Sequence, residues 1–504
     1  MDVGSHVSIE DLVAVGRFKE KVRVSEETLR RIERSRSIVE KIMSEKKTVY
    51  GINTGLGDLV NVRLSDEDVD KLQENLVLSH CAGFGDPLDE EIVRGMMFLR
   101  AVALAKGYSG VRPIVVERLV DFLNENVVPY VPEKGSVGAS GDLSPLAHIA
   151  SVLIGKGYVL VDGKKMEASE FLKKKNIKPL KLKAKEGLAL INGTQAMTSI
   201  AGFVVRDSLR LLKVATLVSA MSIDALKGST TPFDERIHSI RPHPGQIEVA
   251  SWLRKFLEGS EIRMSHINCP KVQDAYTLRT VPQVYGAILD TLRYAREVLE
   301  REMNSVTDNP LIFEDGDVLS GGNFHGEPVA LVSDFVSIAL TDLGNMIERR
   351  IDRLLNPKVN EGLPPFLAFG KPGLNTGYMI FQYSAAALSN ENKVLSHPAS
   401  ADSIPTSAYQ EDHVSMGMNS ALKLKKVFEN LLSILSIEAL VSAIAVDSRR
   451  PLRSSRIIED FKEEILKLVE HRSGDDLFWD DFMRVREYLE KIVKGREDPT
   501  PDID

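Results

Sequence analysis

Apolar residues recur with a helical period along most of the chain. Leu29, Ile32, Val39, Ile42 and Met43 fall on one face of a 3.6-residue repeat. Ser65 and Asp68 make a capping-box start for a helix carrying Val69, Leu72 and Leu76. Pro113, just after Gly110, opens another helix. Val284, Ile288, Leu292, Ala295 and Leu299 form a long stripe, and a further helix is expected from Pro328 to about Leu355. The stretch from Thr194 to Leu226 is apolar on most faces and stops at Gly228, which predicts a central helix surrounded by others. Strand signals are few: VLVDGKKM around Asp162-Gly163 and LIFEDGDVL around Asp315-Gly316 read as two hairpins with type I′ turns. The pattern therefore predicts a mainly α protein with a few short β-hairpins. No internal repeat interrupts it, and the final EDPTPDID reads as a loose tail.

Two windows, 187–205 and 372–390, are each long enough to span a membrane and carry no charge. Both contain amides, Asn192 and Gln195 in the first and Asn375, Gln382 and Asn390 in the second, which hydrocarbon does not tolerate. They are expected to be buried segments of a soluble protein, and their polar groups need internal partners, as the walls of a site do. Composition agrees: the 504 residues are 43% hydrophobic and 27% charged, with a formal charge of −8 that disfavours nucleic acid as a partner. Two cysteines, Cys81 and Cys269, make neither a disulfide framework nor a CxxC zinc pattern, and the N-terminus does not resemble a secretory signal, so a cytoplasmic protein is expected.

Chemistry gathers in the irregular segments. In KGSVGASGDLSPLAH, from Lys134 to His148, Gly135, Gly138 and Gly141 permit unusual backbone geometry, and Pro145 is expected to start a helix whose positive end faces the loop. From spacing alone the loop reads as a glycine-rich turn with Ser140 or Asp142 as an N-cap. A hydrolase nucleophile at Ser140 with His148 as its base is a second reading, although GASGD lacks the GxSxG spacing. His238 and His243 lie five apart in IHSIRPHPG, but the prolines spoil helical ligation and no acid completes a zinc pattern, so no catalytic metal is expected.

A third reading of the loop comes from resemblance. ASGDLSPLAH resembles the signature of the aromatic amino-acid ammonia-lyases, and further motifs follow in that family's order: VYGINTGLG from Val49 to Gly57, LINGTQ, QDAYTLR, GGNFHG, and SAYQEDHVSMG from Ser407 to Gly417. The resemblance covers nearly the whole chain. It implies a mainly α fold built around a long central helix bundle, with residues 1–200 as an N-terminal part carrying the loop and 201–504 as the bundle and C-terminal helices of one intertwined core. It also implies that Ala139, Ser140 and Gly141 cyclise into a 4-methylidene-imidazol-5-one ring, with no external cofactor. Ring closure needs a small residue whose amide nitrogen attacks the Ala139 carbonyl, and a serine whose hydroxyl leaves as water. The same resemblance assigns Tyr50 as the base for the β-proton and places Asn192, Gln273, Tyr276, Arg279 and Phe324 around the substrate. Arg279 offers a planar fork for a carboxylate. Tyr50 acts as a base only if cationic or hydrogen-bonding neighbours lower its pKa from about 10.

Within the family, Ser79-His80 and Glu411 resemble the members acting on histidine. An acceptor at Glu411 and a donor or acceptor at His80 can pair with both ends of an imidazole, whereas a phenyl ring would leave them buried and unpaired at roughly 1 to 3 kcal/mol each. The implied reaction is elimination of ammonia from L-histidine to give urocanate. Tyrosine or phenylalanine elimination, an aminomutase, and an inactive scaffold are the alternatives. The family also implies a homotetramer whose sites draw on more than one subunit and a small-molecule amino acid as substrate; the amide-bearing windows leave no membrane partner expected.

Overall fold

The computed structural model describes every residue except 46–48, 50, 53, 55–65, 372, 471–473, 499 and 501–504. It is mainly α-helical, with three two-stranded antiparallel sheets among the described residues. By internal contacts the chain forms two compact units. Unit 1 comprises 1–203, 296–334 and 398–422; unit 2 comprises 204–295, 335–397 and 423–504.

The long stripes form the expected helices. Glu26–Ser44, Pro113–Asn124 with proline in its first turn, Gln195–Ala225, Val281–Met303 and Glu327–Leu355 all lie where the apolar period put them. The helix with Val69 and Leu76 buried runs Asp66–Ser79; Ser65, its expected cap, lies outside the described residues. Only Leu209, Arg210 and Lys213 of Gln195–Ala225 are even half-exposed, as a helix apolar on most faces requires. Glu327–Leu355 and Gly417–Asp447 are long and apolar enough to cross a membrane, but 89% of the apolar window in the second is buried inside the protein.

Four expectations change. The hairpin Tyr158–Val161 with Lys164–Glu167 does turn through Asp162 and Gly163 at positive φ, as type I′ demands. The second hairpin instead pairs Leu311–Ile312 with Val318–Leu319. Gly316 N donates to Phe313 O, Phe313 N donates to Asp317 O, and of the two turn residues only Gly316 has positive φ, so this is a three-residue loop with a glycine bulge. The helix after the glycine-rich loop is Leu143–Leu153, starting two residues before Pro145; proline fits its first turn because no N–H is needed there. The window 187–205 is buried throughout, but 372–390 is not. In helix Met379–Leu395 Phe381, Ala385 and Ser389 are buried while Ile380 and Tyr383 are each 58% exposed, so this window supplies one apolar face to the interior and leaves another outside. Finally, the described part of the C-terminal tail is held: Lys213 pairs with Asp498 at 3.0 Å, and Arg210 donates to the carbonyls of Ile492, Val493 and Glu497.

Candidate active site

In unit 1 the loop 135–142 is bent by its glycines and pinned on each side. Gly141 has φ +71, and a Cβ there would stand 2.2 Å from Gly193 O, so only glycine fits. Asp142 N donates to that same Gly193 oxygen at 2.7 Å. Ser136 Oγ donates to Gly141 O and to Asp142 Oδ1, and Gly138 N donates to Ser136 Oγ. Ala139 is buried with Val414 and Met416.

Ser140 sits between two side chains that sequence order separates widely. Its carbonyl accepts from Asn192 Nδ2 at 2.9 Å, and its hydroxyl donates to Glu411 Oε1 at 2.8 Å. Asn192 is the residue that ends helix Glu186–Ile191, and its own carbonyl accepts from the buried Arg100 at 2.7 Å. Glu411 closes a tight turn: Thr406 N and Glu411 O, Glu411 N and Thr406 O, and Thr406 Oγ1 with Glu411 Oε2 are all bonded. Ser407, Ala408 and Tyr409 inside that turn all have positive φ, a run that costs non-glycine residues strain and holds the carboxylate toward Ser140.

These contacts bear on the other readings of the loop. Asp142 precedes helix Leu143–Leu153 but makes no side-chain cap to it. Its carboxylate accepts instead from the backbone N–H groups of Ala196 and Met197, both at 2.9 Å, in the first turn of Gln195–Ala225. Burial pushes its pKa up to about 6, against the lowering effect of those N–H groups and Ser136. His148 is no base for Ser140: its Nε2 accepts from Gly83 N at 3.2 Å, and burial lowers its pKa.

The remaining candidates fall in several places. His80 follows helix Asp66–Ser79, and its Nδ1 bonds Leu76 O at 2.8 Å and Ser79 Oγ at 3.1 Å. Ala82 N then donates to Ser144 Oγ, tying this segment to the helix behind the loop. Phe324 is half-buried in the turn before Glu327–Leu355. Tyr50 lies outside the described residues. In unit 2, Gln273, Tyr276 and Arg279 stand together: Arg279 donates to Gln273 Oε1, and Tyr276 is 75% exposed at the start of the short helix Tyr276–Arg279. That helix is anchored from below. Thr277 Oγ1 donates to Met346 O, and Arg350 donates to Thr277 O while forking onto Glu438 at 2.5 and 3.0 Å. Glu438 also accepts from Ser222, and both ions are fully buried. Burial alone would lower the Arg350 pKa; Glu438 and Tyr285 outweigh it and hold it above its ordinary value.

Sequence reading missed Asp142 as the cap of a distant helix, and it missed Arg100 and the Arg350–Glu438 pair. A charged residue inside an apolar helical stripe was the available signal for the last two. His238 is a satisfied core histidine, bonded to Pro232 O and Gln246 Nε2.

The family profile for aromatic amino acid lyases matches residues 7–467. A histidine ammonia-lyase of Caldanaerobacter subterraneus subsp. tengcongensis is 51% identical over 476 residues, 93% of each chain, and one of Alkaliphilus oremlandii is 49% identical over 88% of this chain and 87% of its own. Among solved structures, the tyrosine aminomutase from Streptomyces globisporus superposes with a TM-score of 0.92 at 40% identity over 97% of both chains. Histidine ammonia-lyase from Trypanosoma cruzi superposes with a TM-score of 0.89 at 39% identity, covering 98% of this chain and 94% of its own. With the family profile matched over most of its length, relatives this similar in sequence and a shared fold, this chain belongs to the aromatic amino acid lyase family.

Proposed function

We propose that the protein eliminates ammonia from L-histidine to give urocanate, using an electrophilic ring made from Ala139, Ser140 and Gly141. The tripeptide fits that chemistry: Gly141 has no room for a side chain, and Ser140 is held by its carbonyl and its hydroxyl. Once formed, the ring supplies an electron-poor carbon to which the substrate amine can add. Other residues of the chain do the rest. Asn192 holds the oxygen of residue 140, where negative charge develops. Arg279, with Gln273 beside it, binds the substrate carboxylate through its planar fork. Tyr276 supports the amine end, Phe324 packs on the ring of the substrate, and Tyr50 takes the β-proton.

One observation carries the choice of histidine: Glu411 lies 2.8 Å from the Ser140 hydroxyl, beside the atom that becomes the reactive carbon. A carboxylate there is matched by an imidazole N–H and left unpaired by a phenyl ring. His80 serves the other edge of the imidazole. The relatives named above for histidine support the same substrate. The test is an absorbance assay of purified protein with L-histidine, L-tyrosine and L-phenylalanine in parallel; preference for either phenyl substrate overturns the assignment. A second reading, an aminomutase, is favoured by the likeness to tyrosine aminomutase, and it predicts a β-amino acid rather than a conjugated product in the same assay.

The enzyme acts as a cytoplasmic homotetramer with sites completed between subunits. Leu331, Phe335 and Ile338, spaced along one face of Glu327–Leu355, are 39%, 44% and 48% exposed and suit burial against another copy.

A further inference from the structure

We propose that His325, His413 and Glu327 form a binding site for a divalent transition metal of the Zn²⁺ type, beside the amino-acid site. His413 Nδ1 and His325 Nε2 stand 3.3 Å apart. Their ring planes are 20° apart, with centroids 5.4 Å from one another, so the two nitrogens face each other edge to edge. Glu327, in the first turn of helix Glu327–Leu355, completes the group: one ligand atom from each of the three residues lies within 4.8 Å of the others. Glu327 Oε2 is buried and has no hydrogen-bond partner. A buried carboxylate oxygen left in that state is costly, and a cation is the partner that satisfies it.

The geometry selects the kind of ion. In a tetrahedral site with bonds of about 2.0–2.1 Å, neighbouring ligand atoms lie roughly 3.3 Å apart, which is the separation of the two imidazole nitrogens. Glu327 would have to rotate its side chain to bring an oxygen, now within 4.8 Å of the imidazole nitrogens, into the same shell. Two imidazoles and one carboxylate suit zinc and its neighbours in the first transition row better than magnesium or calcium, which prefer an all-oxygen shell. His325 and Glu327 also line a cavity of about 710 Å³ with Asn323 and Thr307, which gives an entry path and leaves a fourth position for water. Without a metal, one imidazole must donate its N–H to the other; a metal replaces that proton. The ion would join the turn carrying Phe324 to the segment carrying Glu411. The proposal does not depend on which amino acid the enzyme takes.

The test uses untagged full-length protein stripped with a chelator and titrated with Zn²⁺ against a chromophoric competitor. One tight site per chain is expected. X-ray absorption of the zinc-loaded protein should show imidazole nitrogens and oxygen at about 2.0–2.1 Å and no sulfur. His413→Ala should weaken binding by about 100-fold and Glu327→Gln by about 10-fold, with far-UV dichroism unchanged. Absence of stoichiometric binding, equal affinity in His413→Ala, or a sulfur ligand from Cys81 or Cys269 would overturn the proposal. Should His413→Ala not fold, the absorption spectrum of the unaltered protein decides alone.

Discussion

Among single residues, Glu411 is set by an unusual turn against the loop that carries Ser140. Its turn spends three consecutive positive-φ residues, Ser407, Ala408 and Tyr409, to aim one carboxylate at Ser140. Glu411→Ala should lower kcat/KM for histidine by about 10²-fold or more, equivalent to roughly 3 kcal/mol from a lost charge-assisted hydrogen bond. Any weak activity on tyrosine or phenylalanine should hold or rise. Unchanged histidine turnover would remove Glu411 from substrate choice. The tripeptide and Glu411 were legible through resemblance to the family's motifs, whereas from spacing alone the loop reads as a glycine-rich turn. Arg100 was not. It lies in helix Glu90–Ala105, which also carries Glu90, Glu91 and Arg94, and although a charge set among apolar residues signals a buried partner, nothing along the chain announces that the partner is Asn192 O, 92 positions away.

At the scale of elements, Asp142 joins the loop carrying Ser140 to helix Gln195–Ala225 by accepting from the first turn of that helix. Its pKa of about 6 lies above the value near 3.9 expected in an unfolded chain. The folded state thus holds this proton more tightly than the unfolded one. The resulting stability is fully present below about pH 4 and is lost as pH rises through about 6, an effect of about 3 kcal/mol. Asp142→Asn cannot titrate, so the stability of the wild type relative to the variant should fall between pH 4 and 7. Thermal unfolding of both proteins across that range measures it, and a constant difference would place the titration elsewhere. The long helices were readable because one repeat of 3.6 governs tens of residues. The turn at 313–317 was misread because Asp-Gly serves both a two-residue turn and a glycine bulge, and the number of residues between the strands, set by pairing, decides which. Likewise an uncharged window says nothing about which face of a helix meets the interior, and Met379–Leu395 leaves Ile380 and Tyr383 outside.

For the whole molecule, the decisive groups are buried charges and surfaces awaiting partners. The Arg350–Glu438 pair underlies the helix bearing Tyr276 and Arg279. Glu438→Gln would leave a buried guanidinium uncompensated and should destabilise the protein by about 3–5 kcal/mol. Calorimetry should show a lower Tm, and KM should rise because Thr277 loses its fixed support. The proposed tetramer makes a separate prediction. Co-expressed Tyr50→Phe and Ser140→Ala chains should recover part of the activity that each lacks alone, since a mixed assembly contains some sites with both groups intact. Failure to recover in verified mixed tetramers would mean that each chain owns a complete site. Finally, the bond between Ser140 and Glu411 spans 271 residues of chain. A ribosome adding about 5 to 20 residues per second takes roughly 15 to 50 s to travel from one to the other. The surroundings of Ser140 are therefore unfinished throughout that interval, and the proposed ring, once closed there, would be a permanent chemical stamp that the chain has folded at least once. In a pulse-labelled culture, the share of chains still at full mass would count those that never reached that state.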